Sequence, residues 1–312
     1  DLYRPDHVHI STPEAPLGII FRLCLDKRKY NYTTAYHTKF PEFVNAKCKW
    51  IPTSIGHKFM KRVNKRSKKI LVPTQSMLEE LTGLGYENVK VWSRGIDTDL
   101  FKPDHEAKAE KTFVCVSRVS VEKNLEDFFR LDLPGKKIMV GDGPQRKKYE
   151  NKYRDVEFVG TKSGKELAHY YQKADVFVFP SRKDTFGVVM IEALACGTPV
   201  IATRTGGLQE QVDDGKNHFG VCIDPASRAV IGSLQVPWIY EDRLNGEDVV
   251  EAMLKMYNMS SDDREELGRL GMKHIDKNYN FENMRNKWVE IMENVYKENG
   301  SWDTRKNHKN RW

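Results

Sequence analysis

Cysteine is scarce in this chain and poorly placed for cross-linking. Its 312 residues hold five, Cys24, Cys48, Cys115, Cys196 and Cys222. The number is odd and no two form a Cys-x-x-Cys pair, so neither a disulfide framework nor a zinc site is indicated, and a reducing, cytoplasmic setting is expected. Long apolar runs are missing too. None approaches the roughly 18 residues that cross a bilayer. The nine histidines form no metal-ligand cluster, and no Asp-x-Asp motif sits at a glycine-flanked strand end, so no metal is expected. There is no internal repeat. An aromatic RNP pair and a zinc knuckle are both absent, which argues against nucleic acid as a partner. The chain starts with Asp1 rather than Met, which leaves an upstream targeting segment open.

What the chain does have is charge, unevenly placed. The net charge is +7. Residues 1–100 hold 17 Lys and Arg against 10 Asp and Glu, whereas residues 101–312 hold 34 of each. Lys47 to Lys69 carries nine basic residues and no acid. A solvated helix face accounts for such a run, and so does a surface that meets an anionic partner. Trp50, Ile51, Phe59 and Met60 lie among the cations and would insert at a membrane interface.

The hydrophobic pattern predicts alternating strands and helices, hence parallel sheets. In the first part, strands are expected over 6–10, 32–37, 69–73 and 89–92, with helices between them. The polar run Lys102 to Lys111, with Pro103 inside it, reads as a linker. A second series follows, with strands over 113–117, 137–140, 156–159, 176–179, 200–202 and 220–223. After Gly232 the pattern is mainly helical, over 246–257, 261–278 and 281–298. Two doubly wound domains with a ligand in the cleft is the expected arrangement.

The densest chemical signal runs from Pro180 to Val200. Asp184 sits in a loop after a buried strand, and Glu192 lies eight residues later in an otherwise apolar helix. A carboxylate there is costly to bury unless something polar meets it. The free amides at the start of that helix, near Phe186, Gly187 and Val188, make an anion site. Loop acid, helix N-terminus and helix acid together suit a charged, hydroxyl-rich ligand, and a nucleotide sugar fits that description. Upstream, Arg118 and Lys123 straddle the loop after the first strand of the second series, where α/β proteins bind ligands. Cations there would stabilise the charge of a diphosphate leaving group.

Asp184-x7-Glu192, with Phe-Gly between the acids, resembles the donor-binding motif of the retaining glycosyltransferases of family 4, although most members have Glu first. Ser117-Arg118 through Lys123 resembles that family's Arg-x4-Lys signature. Tyr36-His37-Thr38 resembles a segment of its mannosyl- and sulfoquinovosyltransferase-like members, and Trp92 to Phe101 its turn before the interdomain linker.

The resemblance implies an α/β protein of GT-B fold with two doubly wound, Rossmann-like domains of parallel sheet. Residues 1–105 would form a partial acceptor-side domain and residues 106–280 the nucleotide-sugar domain. Residues 281–312 would add a C-terminal helix crossing back to the first domain and a polar tail. About 100 residues precede the linker, so the upstream third or more of the family's first domain is expected to be missing.

The implied reaction moves a hexose from a nucleotide diphosphate to a hydroxyl of a glycan or lipid acceptor, with retention and without metal or other cofactor. GDP-mannose is the expected donor and a UDP-hexose the alternative. His37, Arg118, Lys123 and Asp184 take the catalytic roles. Gly141, Gly143, Phe158, Val159, Phe186, Gly187, Val188 and Glu192 bind the donor, with Glu192 on ribose hydroxyls and Phe158-Val159 beside the base. Gly206 and Gly207 are a weaker second anion site. The expected location is cytoplasmic, peripheral on the inner face of a membrane through Lys47–Lys69. A donor-binding but inactive protein and a sugar-nucleotide epimerase of the same fold are the competing readings.

Overall fold

The computed structural model describes residues 5–301 except 49, 105–109, 133, 182, 183, 185, 205, 225, 226, 232–238 and 244. The core of the expected linker, residues 105–109, and the polar tail, residues 302–312, lie outside the described residues. The chain divides into two units. The first comprises residues 1–93, 232–239 and 284–312, and the second residues 94–231 and 240–283.

In the first unit the order is β1 (Val8–Ile10), α1 (Pro16–Lys27), β2 (Tyr32–Ala35), α2 (Phe40–Lys47), α3 (Thr53–Asn64), β3 (Ile70–Val72), α4 (Gln75–Gly83) and β4 (Val89–Val91). The four strands form one sheet in the order β1-β2-β3-β4, with every pairing parallel. Both β2 and β3 are buried along their length. Continuous burial is what central strands of a parallel sheet need, and it is why they read as unbroken apolar or Thr-rich runs. Thr33 and Thr34 tolerate this because Thr34 donates to Asn64 at 2.6 Å and Thr33 contacts His7 and His9. Thr74 starts α4 by accepting the Met77 amide at 3.2 Å, as a Thr N-cap should.

The second unit contains β5 (Thr112–Val116), α5 (Glu126–Phe129), β6 (Lys136–Val140), α6 (Arg146–Lys152), β7 (Val156–Gly160), α7 (Gly164–Lys173), β8 (Val176–Phe179), α8 (Val188–Ala195), β9 (Val200–Thr203), α9 (Gln209–Val212) and β10 (Gly220–Ile223). After a two-stranded insertion, β11 (Ser227–Ile231) with β12 (Ile239–Arg243), come α10 (Gly246–Asn258), α11 (Ser261–Tyr279) and the start of α12 (Phe281–Asn299). The three helices lie where the sequence pattern expects them, and the two strands before α10 are an addition to that reading. Six parallel strands lie in the order β10-β9-β8-β5-β6-β7.

Each face of this sheet carries its own core. Along β5, Phe113 and Cys115 join Phe128, Phe129, Tyr149, Val249 and Met253, whereas Val114 and Val116 join Tyr171, Met190, Leu194 and Ile275. The alternation follows from the pleat, which sends successive side chains to opposite faces. A sheet covered on both faces is the expected doubly wound layer.

From Met284 onward α12 belongs to the first unit. Its Trp288 lies 4.5 Å from Trp92 and 5.0 Å from His9, ring to ring, and Asn31 donates to the Asn299 carbonyl at 3.1 Å. His7 and His9 stand on the same side of β1 and both contact the Thr33 hydroxyl, at 3.1 and 2.9 Å. Burial, then His9 and Lys68, lower the His7 pKa to about 4, and burial also lowers that of His9.

A His whose folded pKa lies below its unfolded value of about 6.5 stabilises the fold fully above pH 6.5, and that contribution is lost as pH falls toward 4. His7 alone corresponds to about 3 kcal/mol over this range. The first unit is therefore expected to melt at lower temperature at pH 5 than at pH 7. His7→Gln should flatten that acid-side slope in pH-dependent thermal melts. A slope unchanged in the variant would contradict the assignment.

Candidate donor site at the strand-order switch

Strand order places the site. From β5 the chain builds outward through β6 and β7, then returns to lay β8 on the other side of β5. Loops leaving β5 and β8 therefore diverge at their C-terminal ends, which is the crevice where doubly wound sheets bind ligands. Arg118 and Lys123 follow β5, and Asp184 follows β8. Lys123 Nζ and Asp184 Oδ2 meet at 2.7 Å across that divide, both largely buried. Two of the sequence-derived residues, 61 positions apart, are thus in direct contact. Arg118 is exposed on the same loop.

The loop after β5 is braced by the one after β6. Val119 donates to the Asp142 carbonyl at 2.9 Å and accepts from the Gln145 amide at 3.1 Å. A Cβ on Gly141 would fall 1.9 Å from the Ser117 carbonyl oxygen, and one on Gly143 2.4 Å from that of Val119. These glycines admit the neighbouring loop to contact. This packing is a second reason for glycine here, beside the close approach to a ligand expected from the sequence. Gly141 also has φ +135°, which L side chains rarely adopt.

At β7 the Phe158 ring packs against Phe129 at 5.3 Å, and the Phe158 carbonyl accepts from Arg146 at 3.2 Å. Val159 packs toward the opposite core. Both side chains are half-buried.

Gly187, with φ +70°, is the N-cap of α8 and brings no side chain to it. The first amides of a helix lack intrahelical acceptors, and the helix dipole adds positive potential there. Phe186 is buried against Tyr279, and its carbonyl accepts from Gln211. Gly206 abuts Asp184: its Cβ would lie 3.3 Å from the Asp184 carbonyl oxygen. The turn at Gly206–Leu208 leads into α9, which has four residues and too short an axis for an anion site.

Glu192 sits in the second turn of α8, half-buried. Burial raises its pKa, and a 2.8 Å hydrogen bond from the Tyr171 hydroxyl opposes that. Tyr171 is the polar partner that the apolar surroundings of Glu192 demand. It was not found from sequence, because its run, His169-Tyr170-Tyr171, reads as an amphipathic helix with nothing to single out one Tyr. His37 belongs to the first unit, half-buried just past β2. No group of His, Cys, Asp and Glu suited to a metal ion occurs among the described residues.

The description "Glycosyltransferase Family 4" matches residues 1–100, and "Glycosyl transferases group 1" matches residues 110–231. Together they take in more than two thirds of the chain. The chain belongs to the family 4 glycosyltransferases. Among its curated relatives, the sulfoquinovosyl transferase SQD2 of Arabidopsis thaliana is 28% identical over 245 residues, covering 72% of this chain and 48% of the relative. A GDP-mannose-dependent alpha-mannosyltransferase of Corynebacterium glutamicum is 27% identical over 259 residues, covering 78% and 62%. The chain thus spans 48% to 62% of the length of these relatives.

The fold is that of GT-B transferases of known structure. Sucrose-phosphate synthase from Thermosynechococcus elongatus superposes with TM-score 0.75 at 19% identity, covering 94% of this chain and 73% of that one. Anabaena HepE in complex with UDP-glucose gives 0.70 at 15%, covering 93% and 79%.

Replacing Gly141 by Ala must move either the β5 loop or the residue itself. Gly141→Ala is expected to lower the stability of the second unit by at least about 2 kcal/mol in chemical denaturation. A variant as stable as the original would show that the two loops are not packed as described.

Proposed function

We propose that this glycosyltransferase binds a nucleotide diphosphate sugar at the C-terminal edge of its second sheet and moves the hexose to a hydroxyl of a glycan or lipid acceptor. The observation that carries this reading is the Lys123–Asp184 pair spanning the β5/β8 divide, with the glycine-capped start of α8 and Glu192 following directly. Lys123 and Arg118 would meet the diphosphate and stabilise the charge that grows as the glycosidic bond breaks. Asp184 would contact sugar hydroxyls and, through its ion pair, fix where Lys123 stands before donor arrives. The amides of Gly187 and Val188 would face phosphate or sugar, and Glu192 would accept from the ribose.

His37 would contact the donor sugar near the reaction centre. Retention would then proceed by attack on the same face, the departing phosphate taking the acceptor proton. Cationic side chains and helix amides would do the neutralising, so chelator should leave activity intact.

Mannose from GDP-mannose is the donor supported by the Corynebacterium relative. A UDP-hexose is the second reading, supported by the UDP-glucose complex of the structural neighbour. Nothing in the matched families favours an epimerase. Calorimetric titration with GDP-mannose and UDP-glucose, alongside a transfer assay, separates donor choice from turnover. Glu192→Ala should weaken donor binding roughly 10- to 100-fold, because a charged acceptor is lost. Arg118→Ala should lower turnover mainly. Donor affinity within about twofold of the original in Glu192→Ala would overturn the site, since a charge-assisted hydrogen bond contributes more than that.

The acceptor side is proposed to meet an anionic membrane surface. The structure refines which residues could do so. Met60 is 1% exposed and faces the core with Val63, so it does not insert as the sequence reading has it. Trp50, Ile55 and Phe59 are the exposed apolar groups, at 82%, 57% and 39%. Lys58, Lys61, Arg62, Lys65 and Arg66 share the exposed side of α3 and its end. The inner side of α3 is pinned by Gly56 against Pro41 and by His57, which contacts Tyr86 at 3.0 Å and Glu42 at 3.2 Å.

A rigid helix with cations around apolar tips complements acidic headgroups, each near-surface cation contributing about 1 kcal/mol. Vesicle sedimentation at low salt should show binding to anionic but not neutral vesicles, reduced by salt and by Trp50→Ala with Phe59→Ala. Equal binding to both vesicle types, or to neither, would leave a soluble anionic acceptor as the partner of this surface.

A further inference from the structure

Tyr171 lies in α7, outside every motif that marks the donor site, and is completely buried. Its ring is held by Phe101 at 6.0 Å and Phe177 at 5.5 Å, and its carbonyl accepts from Thr198 at 2.6 Å. The residue therefore has one well-defined position, and its hydroxyl ends on Glu192 Oε2 at 2.8 Å. A tyrosine so enclosed keeps its proton, since burial and the adjacent carboxylate both raise its pKa. Its proton is therefore available to donate, and the acceptor it reaches is the carboxylate.

We infer that Tyr171 is a positioning residue for the donor site: its buried hydroxyl occupies one oxygen of Glu192, keeps the carboxylate ionised, and leaves Oε1 to accept from the donor. The inference rests on the donor-site reading of Glu192. Two effects compete at this carboxylate. Burial favours the neutral acid, which would donate one hydrogen bond and lose an acceptor, whereas a donated hydrogen bond favours the anion. The other titratable groups that act on this pair are the thiols of Cys196, at the C-terminal cap of α8, and of Cys115, on β5 with its side chain in the core of the opposite sheet face. Both are pushed up to about 12 by burial and stay neutral. The Tyr171 hydroxyl is then the group that opposes protonation of Glu192.

Without that hydroxyl, Glu192 should take up its proton at higher pH. Donor affinity would fall toward acid sooner than in the original protein. GDP and UDP titrated into the full chain between pH 5 and 8 read this directly. Tyr171→Phe is expected to weaken binding about tenfold at neutral pH, the scale of one charge-assisted hydrogen bond, with the acid-side decline moved to higher pH. In a Glu192→Gln background, which does not titrate at this position, Tyr171→Phe should cost little more and leave unshifted the profile that the nucleotide's own terminal phosphate, with a pKa of about 6, sets there.

A merely structural role would lower affinity equally in both backgrounds and leave the pH profile in place, and that result would overturn the inference. Should Tyr171→Phe fail to fold, the profiles of the original chain and Glu192→Gln still decide: identical profiles would exclude a titrating Glu192 at the site. Unchanged binding in Glu192→Ala would overturn the donor-site reading itself. Lost binding there, with Tyr171→Phe unaffected in affinity and profile, would overturn this inference alone.

Discussion

Parallel strands cannot be joined by tight turns, so each must be followed by a chain that crosses back over a face of the sheet. In the second unit this requirement sends β5 outward to β6 and β7 and then brings β8 home beside β5. Two loops leave the middle of the sheet in opposite senses, and a gap between them is unavoidable. Arg118 and Lys123 on one loop and Asp184 on the other are brought to that gap by topology, before any side-chain interaction is counted. The 2.7 Å contact of Lys123 with Asp184 closes over a position that the strand order has already set.

The strand scaffold was legible because its physics is local. Phe113 to Val116, Val176 to Phe179 and Val200 to Thr203 are unbroken buried runs, which a sheet covered on both faces produces and an exposed one does not. The long helices α10 to α12 were legible from their period and caps. Asn245 and Ser260 each accept an amide at the helix start. The β11/β12 insertion was not, because Ser227–Ile231 and Ile239–Arg243 are short mixed strands that pair only with each other, so no sheet period announces them.

The site was legible to a different depth. Charged residues in strand-end loops and a lone acid in an apolar helix stand out in sequence, so Lys123, Asp184 and Glu192 were singled out. What holds them did not stand out, because it depends on contacts between distant segments. Gly141 and Gly143 look like ligand-facing glycines, and nothing in the sequence shows that each also leaves room for a carbonyl of the β5 loop. The partner of Glu192 lies 21 residues upstream, on another helix. The outer helix α3 shows the same limit. Its cations are plain in the sequence, but which apolar groups turn outward depends on α3 packing against Pro41, Glu42 and Tyr86, and this buries Met60 while leaving Ile55 and Phe59 exposed.

Asp184 and Glu192 illustrate how one sheet edge gives two carboxylates different surroundings. Asp184 is neutralised by a cation at 2.7 Å, so its charge is satisfied without donor and is released only when something else engages Lys123. Glu192 has no such cation among its described contacts. It relies on one hydroxyl against the cost of burial. An anionic ligand that draws Lys123 toward its phosphates would free Asp184 for hydroxyls in the same step, coupling diphosphate recognition to sugar recognition.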